Sequence, residues 1–190
     1  MPAFNHVTLR TKRLLLRPFR ETDAQAVFSM FTDHKFMEFV DSPPFGSVDE
    51  AHALVTRDMK ALASGERIRL GLERVGDGVL IGNCTLFNLD WNSKKAEIGY
   101  GLFGSEFGKG YMNEALASLL RYGFSVLDLN RIYAEIDPKN TNSAKSLDRI
   151  GFTKEGLLRE NCIVNSVVSD SAIYGLLHSD WENRDAIGVL

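Results

Sequence analysis

The most informative part of this sequence is residues 96–111, which read Ala-Glu-Ile-Gly-Tyr-Gly-Leu-Phe-Gly-Ser-Glu-Phe-Gly-Lys-Gly-Tyr. The chain has 16 glycines, and a dense group of them lies here. The first half alternates as a strand does, so Glu97, Gly99, Gly101 and Phe103 share one face. Two glycines on one face leave main chain uncovered, which allows a ligand to approach closely.

The second half of the stretch is a glycine-rich loop that leads directly into a helical pattern. Apolar residues predict a helix from about Asn113 to Leu127 with one buried face. The first N–H groups of a helix attract anions, and Lys109 adds positive charge. The loop therefore predicts a phosphate or pyrophosphate site, and a tight turn with glycines for packing is the alternative. The common nucleotide loops do not match, because Asn113 stands at the third glycine position of Gly-x-Gly-x-x-Gly.

The rest of the chain alternates strand and helix patterns. Helices are expected to begin near residues 22, 47, 113 and 143. Strands are expected at 14–18, 68–72, 79–89, 95–103, 131–136, 157–163 and 171–177. This order predicts an α+β fold, with helices packed on a mixed sheet, and a single domain over residues 1–190. The strand–helix–strand segment from 95 to 136 predicts a parallel pair.

Composition and charge exclude several classes of protein. The chain has 190 residues, 44% of them hydrophobic, and a net charge of −3, which excludes a disordered or collagenous chain. We expect no direct nucleic-acid binding and no membrane span, because there is neither a strong positive charge nor a long apolar run. Cys84 and Cys162 are unclustered and the histidines are scattered, which predicts free thiols, a cytoplasmic location and no metal site. The sequence is compatible with a monomer and with a homodimer.

A second polar cluster spans Asp137 to Ser143 and reads Asp-Pro-Lys-Asn-Thr-Asn-Ser. It joins a predicted strand to a short helix. One interpretation is that Asn140 or Thr141 only caps this helix. The other is that the cluster lies beside a cleft.

These motifs resemble those of the GCN5-related N-acetyltransferases (GNAT). Phe107 to Ala115 resembles their acetyl-CoA pyrophosphate loop, and 140–143 with the following Leu147 and Gly151-Phe152 resembles their second cofactor motif. The similarity covers about residues 8–182. It departs at Phe107, where many members have Gln or Arg, and at Met112, where many have Gly or Ala. Segments similar to the RimJ/RimL-like branch, which acetylates the N-termini of ribosomal proteins, are 14–18, 96–100, 155–159 and 169–181.

The resemblance implies a mostly antiparallel sheet of about seven strands, splayed between the fourth and fifth predicted strands and flanked by helices. It implies acetyl-CoA as co-substrate and a primary amine as acceptor. The amine would be the N-terminal α-amine of a ribosomal-type protein, or a small amine such as a polyamine, an amino acid or an antibiotic. A non-catalytic acyl-CoA-binding module is the remaining alternative. The implied cofactor-binding residues are Gly101, Leu102, Phe103, Phe107, Gly108, Lys109, Gly110, Tyr111, Met112, Asn113, Asn140 and Ser143.

The resemblance also implies direct attack of the amine on the thioester. Ser143 aligns with a serine that serves some relatives as proton donor to the departing thiolate, whereas Leu147 occupies the position where many members have a tyrosine. Glu135 and Glu97 are the candidates for the base, and Glu160 is a third. An α-amine, with a pKa of about 7.7–8.0, needs less help from a base than a lysine at about 10.4. An unclear base therefore favours an α-amine acceptor.

The acceptor pocket is expected between the first two helices and the late hairpin. The segments expected to line it carry Phe36, Phe39, Phe45 and Trp91. They show no acidic cluster dense enough in the sequence to demand a polycation.

Overall fold

A computed structural model describes residues 3–164 and 167–186, which form one eight-stranded sheet with helices on both faces. The strands are β1 (Leu9–Arg10), β2 (Leu14–Arg17), β3 (Ile68–Arg74), β4 (Leu80–Asp90), β5 (Lys95–Leu102), β6 (Arg131–Ile136), β7 (Thr153–Val164) and β8 (Val167–Leu177). The helices are α1 (Ala24–Met30), α2 (His34–Met37), α3 (Val48–Ser64), α4 (Tyr111–Ser125), α5 (Thr141–Ile150) and α6 (His178–Ala186). The predicted α+β fold is confirmed.

The strand order is β1-β2-β3-β4-β5-β6-β8-β7, and only the β5–β6 pair is parallel. About seven strands were expected, and the additional one is β1, which pairs with Leu15 and Leu16 of β2. Two residues are too few for alternation to indicate a strand, so the sequence did not reveal it.

The splay in the sheet lies between β5 and β6, the fourth and fifth strands of the sequence prediction. Their register pairs Lys95, Ala96 and Glu97 with residues 131–133. Beyond this point the strands diverge, although β5 continues to Leu102 and β6 to Ile136. Residues 98–102 pair with β4 on one edge, so their main chain borders an opening only on the side of β6.

Apolar side chains form a cluster on each face of the sheet. On one face, the buried stripe of α4 packs against β4, β5 and β6, with Leu116, Leu119 and Phe124 close to fully buried. Gly123 allows this close approach, since a Cβ there would lie 2.8 Å from Ile132 Cδ1. On the other face, α1, α2 and α3 bury a smaller cluster around Val27.

Three predicted helix starts differ from the structure, and one of them is that of α5, which was expected near Ser143 and begins at Thr141. The first helix was expected near residue 22, but a 3-10 turn over Glu21–Asp23 precedes α1. Asp23 accepts from the Arg20 N–H and binds the buried Arg17 guanidinium at 2.7 and 3.0 Å, which fixes this turn. The third helix, expected from Asn113, begins two residues earlier, directly after Gly110.

Candidate active site

The glycine-rich turn before α4 has the backbone geometry of an anion site. Gly108 and Gly110 have φ values of +75° and +78°, which glycine adopts without steric cost. A Cβ on Gly108 would meet nothing within 4 Å, and one on Gly110 would lie 3.5 Å from Arg13 Nη2. These glycines are therefore required by the course of the main chain, and the space beside Gly108 stays open.

The N-terminus of α4 directs its first N–H groups toward this turn. The capping residue is Gly110, which offers no side-chain acceptor, so the first-turn donors remain available to a ligand. The helix holds 15 residues, and its dipole adds partial positive charge at this end.

Arg13, which the sequence analysis missed, holds the turn in place. Its main-chain N–H and Nε donate to the two carboxylate oxygens of Glu114, at 2.8 and 2.6 Å. Its Nη1 donates to the Lys109 carbonyl at 2.9 Å, and the guanidinium lies 4.5 Å from the Tyr111 ring centre. Burial acts to raise the pKa of Glu114, but hydrogen bonds from Thr11 and Arg13 hold it below its usual value.

Lys109 is already engaged by a neighbouring carboxylate. Its Nζ donates to Glu106 Oε2 at 3.0 Å, and Arg74 Nη1 donates to the same oxygen at 3.2 Å. Glu106 is buried, so this pair of cations offsets its charge inside the loop. Lys109 therefore stabilises the turn in this structure and does not line the adjoining cavity.

That cavity, about 340 Å³, is called here the glycine lobe. Among the predicted cofactor-binding residues, it is lined by Gly101, Leu102, Phe107, Gly108, Gly110, Tyr111, Met112, Asn113, Asn140 and Ser143. Phe103 and Lys109 do not line it. Other residues line the same cavity but were not predicted to bind the cofactor: Lys35, Phe36, Glu38, Phe39, Val40, Tyr100, Glu106, Asn142, Lys145, Ser146 and Arg149.

The glycine face of β5 is covered rather than open. A Cβ on Gly101 would lie 2.5 Å from a Phe36 ring carbon, and one on Gly99 would lie 3.3 Å from Phe87. Gly101 therefore lets Phe36 of α2 pack closely on the strand, and Gly99 faces Phe87 of β4. A ligand therefore has access to the free edge of β5 at the splay, and not to its glycine face as the alternation suggested.

A second cavity, about 640 Å³, lies on the other side of the splay and is called here the acidic lobe. It is bounded by the segment after α2, by the end of β6 and by the β7–β8 hairpin, as expected for the acceptor pocket. Its acidic lining residues are Glu38, Asp41, Glu135, Asp137 and Asp170, against Lys139 and His34. The expectation of no dense acidic cluster is wrong, because these carboxylates come from three separate segments.

The aromatic residues expected near this pocket divide between several places. Phe39 lines both lobes, and Phe36 lines the glycine lobe. Phe45 stacks on Phe31, with ring centres 4.6 Å apart. Trp91 packs against Phe4 on the opposite face of the sheet.

The residues that line both lobes come from two places: Glu38, Phe39 and Val40 follow α2, and Tyr100, Asn140 and Ser143 come from β5 and the start of α5. Asn140 Oδ1 accepts from the Ser143 N–H at 3.0 Å, so Asn140 caps α5 and also borders the cleft. The Ser143 Oγ lies 2.7 Å from Tyr100 Oη. Both interpretations of the second polar cluster are therefore correct. Tyr100 was missed because alternation puts it on the face of β5 opposite Gly99 and Gly101, where nothing in the sequence indicated a cavity.

The candidate bases occupy different environments. Glu135 lines the acidic lobe and accepts from Asn161 Nδ2 at 2.7 Å. Glu97 lines neither lobe; it accepts from Asn88 Nδ2 at 2.9 Å, and burial raises its pKa. Glu160 is exposed on β7, with a φ of +52°, and lines neither lobe. The structure thus brings Glu135, but not Glu97 or Glu160, into the cavity that contains Ser143.

Across residues 3–164 and 167–186, no group of three or more His, Cys, Asp or Glu side chains is placed to hold a metal ion. Over the same residues, no helix combines the length and the apolar character that crossing a membrane requires. Both cysteines are free thiols.

Comparison with known proteins gives consistent matches. Residues 13–153 match the acetyltransferase (GNAT) domain family. An uncharacterized N-acetyltransferase, p20, of Bacillus licheniformis is 33% identical over 92% of this chain and 98% of its own length. The [ribosomal protein uS5]-alanine N-acetyltransferase of Escherichia coli is 28% identical over 92% of this chain and 93% of its own.

A solved structure shows the same fold. Mycobacterium smegmatis RimJ, determined in complex with CoA-disulfide, superposes with a TM-score of 0.82 at 25% identity. The superposition covers 96% of this chain and 93% of that one.

Proposed function

The chain belongs to the GNAT acetyltransferase family, and from that premise we propose that it transfers the acetyl group of acetyl-CoA to the N-terminal α-amine of a basic protein. Its class, an N-acetyltransferase with acetyl-CoA as co-substrate, follows from the family. The acceptor is the proposal. The observation that carries it is a cleft of two unlike lobes that meet at one hydroxyl pair.

The glycine lobe is suited to the CoA moiety. Its positive-φ turn and the free N–H groups of α4 can bind a diphosphate through main-chain donors. The free edge of β5 at residues 98–102 offers main-chain groups to the amides of the pantetheine arm, as an added strand would use them. The thioester would then lie near Tyr100 and Ser143, where the lobes join.

The acidic lobe is suited to a cationic acceptor. Its carboxylates outnumber its cationic side chains, which attracts an ammonium group and the basic residues that follow it. Basic N-termini are a feature to expect of ribosomal proteins, since these bind RNA phosphates. The E. coli relative, named for an alanine of ribosomal protein uS5, is consistent with such an acceptor.

The transfer itself needs a base and an acid. We assign Glu135, in the acidic lobe, as the base that takes the ammonium proton directly or through water. The amine nitrogen then bonds to the thioester carbon, and the C–S bond breaks with its electron pair on sulfur. Ser143 gives the sulfur its hydroxyl proton and regains one from the solvent. The solvent receives the second proton, which the nitrogen releases after the attack, and the proton held by Glu135, which returns to a carboxylate. The products are an amide and CoA thiol.

A small polyamine is the second candidate acceptor. The same excess of carboxylates favours it, because each ammonium of a polyamine can face a separate carboxylate of the lobe. The cavity of about 640 Å³ has room for an extended chain of this kind.

We also propose that the enzyme acts in the cytoplasm, which the free thiols favour.

An acceptor panel distinguishes these candidates. Thiol release from acetyl-CoA is measured with a basic peptide with a free α-amine, the same peptide with its α-amine blocked, an acidic peptide and spermidine. We expect kcat/KM to be highest for the free basic peptide and to fall at least about 100-fold on blocking, since the attacking nitrogen is lost. Turnover of spermidine above that of every peptide would overturn the α-amine assignment in favour of the polyamine.

A further inference from the structure

Tyr100 and Ser143 connect β5 to α5 at the point where the lobes meet. Tyr100 Oη lies 2.7 Å from Ser143 Oγ, although the residues are 43 positions apart in the sequence. Both side chains border both cavities. An acetyl group that moves from the glycine lobe to the acidic lobe therefore passes beside this pair of hydroxyls.

The acidity of the two hydroxyls determines which one donates. A phenol, with a pKa of about 10, is far more acidic than an aliphatic hydroxyl, so it is the better donor. Tyr100 Oη also lies 3.4 Å from the Ser143 carbonyl oxygen, a longer and weaker contact. With Tyr100 donating to Ser143 Oγ, the serine proton is left free to donate into the cleft.

Burial keeps the tyrosine in its donating form. It raises the pKa of the Tyr100 phenol well above the usual value, and the hydrogen bond with Ser143 opposes this only in part. The phenol therefore keeps its proton at neutral pH. Asn140, which accepts from the Ser143 N–H at 3.0 Å, fixes the main chain of the same serine.

We propose that Tyr100 is a positioning residue for acetyl transfer, because its hydroxyl holds Ser143 Oγ so that the serine proton faces the departing sulfur. The proposal rests on the role of Ser143 in the proposed function. As the C–S bond breaks and the serine proton moves to sulfur, negative charge builds on Oγ. The Tyr100 hydrogen bond strengthens at that moment and stabilises it. Tyr100 itself neither gains nor loses a proton over the cycle.

A double-mutant cycle tests this inference. The variants are Tyr100→Phe, Ser143→Ala and the double variant, measured by kcat, KM for acetyl-CoA and CoA affinity. We expect Tyr100→Phe to lower kcat about tenfold while KM changes less than about twofold, since the lost hydrogen bond acts in the transition state. In the Ser143→Ala background the same substitution has no serine to position, so it causes no further loss.

A matched control separates positioning from packing. Tyr174→Phe removes a hydroxyl from another buried tyrosine, on β8, that lines neither lobe, so its kcat stays within about twofold of wild type. Tyr100→Phe with wild-type kcat, or with the same loss whether or not Ser143 is present, would overturn the inference alone. Ser143→Ala with wild-type kcat would instead overturn the acid role in the proposed function, and the inference with it.

Discussion

The glycine lobe and the acidic lobe are built by different means. The first takes its chemistry from main-chain N–H groups of one continuous stretch, residues 101–113, shaped by Gly108 and Gly110. The second takes its chemistry from carboxylates contributed by segments near residues 38–41, 135–137 and 170. A main-chain site depends on local backbone geometry, whereas a side-chain site depends on the whole fold. Substitutions of single lining residues should therefore weaken ligand binding strongly in the first lobe and by small steps in the second.

The largest effect is expected at Gly110. Replacing Gly110 by Asp puts a side chain at a φ of +78° and a negative charge where the diphosphate would bind. We expect CoA affinity, measured by calorimetry, to fall by at least about 100-fold. Gly78→Asp is the matched control, because Gly78 has a φ of +71° in open space, lines neither lobe and should leave the affinity unchanged. Wild-type CoA affinity in Gly110→Asp would contradict the proposal that the glycine lobe, unlike the acidic lobe, binds its ligand through the main chain.

The next effect concerns the base. Glu135→Gln should lower kcat about 100-fold, the usual loss when a general base is removed, and leave CoA affinity unchanged. Glu97→Gln should keep wild-type kcat, because Glu97 lines neither lobe. If Glu97→Gln loses activity and Glu135→Gln does not, the base acts from outside the acidic lobe.

The raised pKa of Glu97 leads to a prediction about how the stability of the fold depends on pH. Burial raises its pKa, so the folded state holds this proton more tightly than the unfolded state. Its stabilising contribution is present below the unfolded pKa and is lost as the pH rises through the folded pKa. Glu97→Gln should therefore raise the thermal midpoint at pH 8 relative to wild type and leave it unchanged at pH 4. An equal shift at both pH values would indicate a packing effect instead.

Most residues that line the glycine lobe between 101 and 113 were named from the sequence because they are adjacent in the chain. Gly108 and Gly110 before a helical pattern already indicated a main-chain anion site. The acidic lobe was not predicted because its carboxylates lie in separate segments of the chain. Only the folded structure brings Asp41, from the segment after α2, and Asp170, from the β7–β8 hairpin, to one cavity. Tyr100 was hidden for a related reason, since alternation shows which face a residue takes but not what it meets there.

The same reasoning applies to the fold. Alternation and helical periodicity located most of the long elements, whereas the splay was implied by the family resemblance. Periodicity missed β1, which has two residues, and α2, which has four, because so few residues show no period. It also missed the nine-residue α6, where Trp181 is the single large apolar residue and no apolar stripe results. Lys109 was assigned to the ligand, and its neighbour Glu106 three residues earlier was not recognised as its partner.

A smaller effect is expected in the acidic lobe. Asp41→Asn removes one of several carboxylates, so KM for a basic peptide should rise about threefold at low salt and less at high salt. KM for acetyl-CoA should not change. Glu66→Gln, an exposed change of the same charge outside both lobes, is the control. A tenfold or larger rise in this KM would contradict the prediction, because it would show that one carboxylate dominates the binding of the peptide.

The smallest effect is expected at Arg13. Arg13→Ala removes the contacts with Glu114 and the Lys109 carbonyl, which loosens the turn without deleting its N–H groups. CoA affinity should fall about threefold, as for the loss of a partly exposed supporting contact. Arg10→Ala, an exposed change in β1, serves as the control.

A crystal structure of the protein with acetyl-CoA tests most directly whether the main chain around residues 108–113 binds the diphosphate. We expect the diphosphate oxygens to lie within hydrogen-bond distance of the N–H groups at the start of α4, and the thioester to lie beside Tyr100 and Ser143. Diphosphate density held by lysine and arginine side chains away from this turn would contradict it.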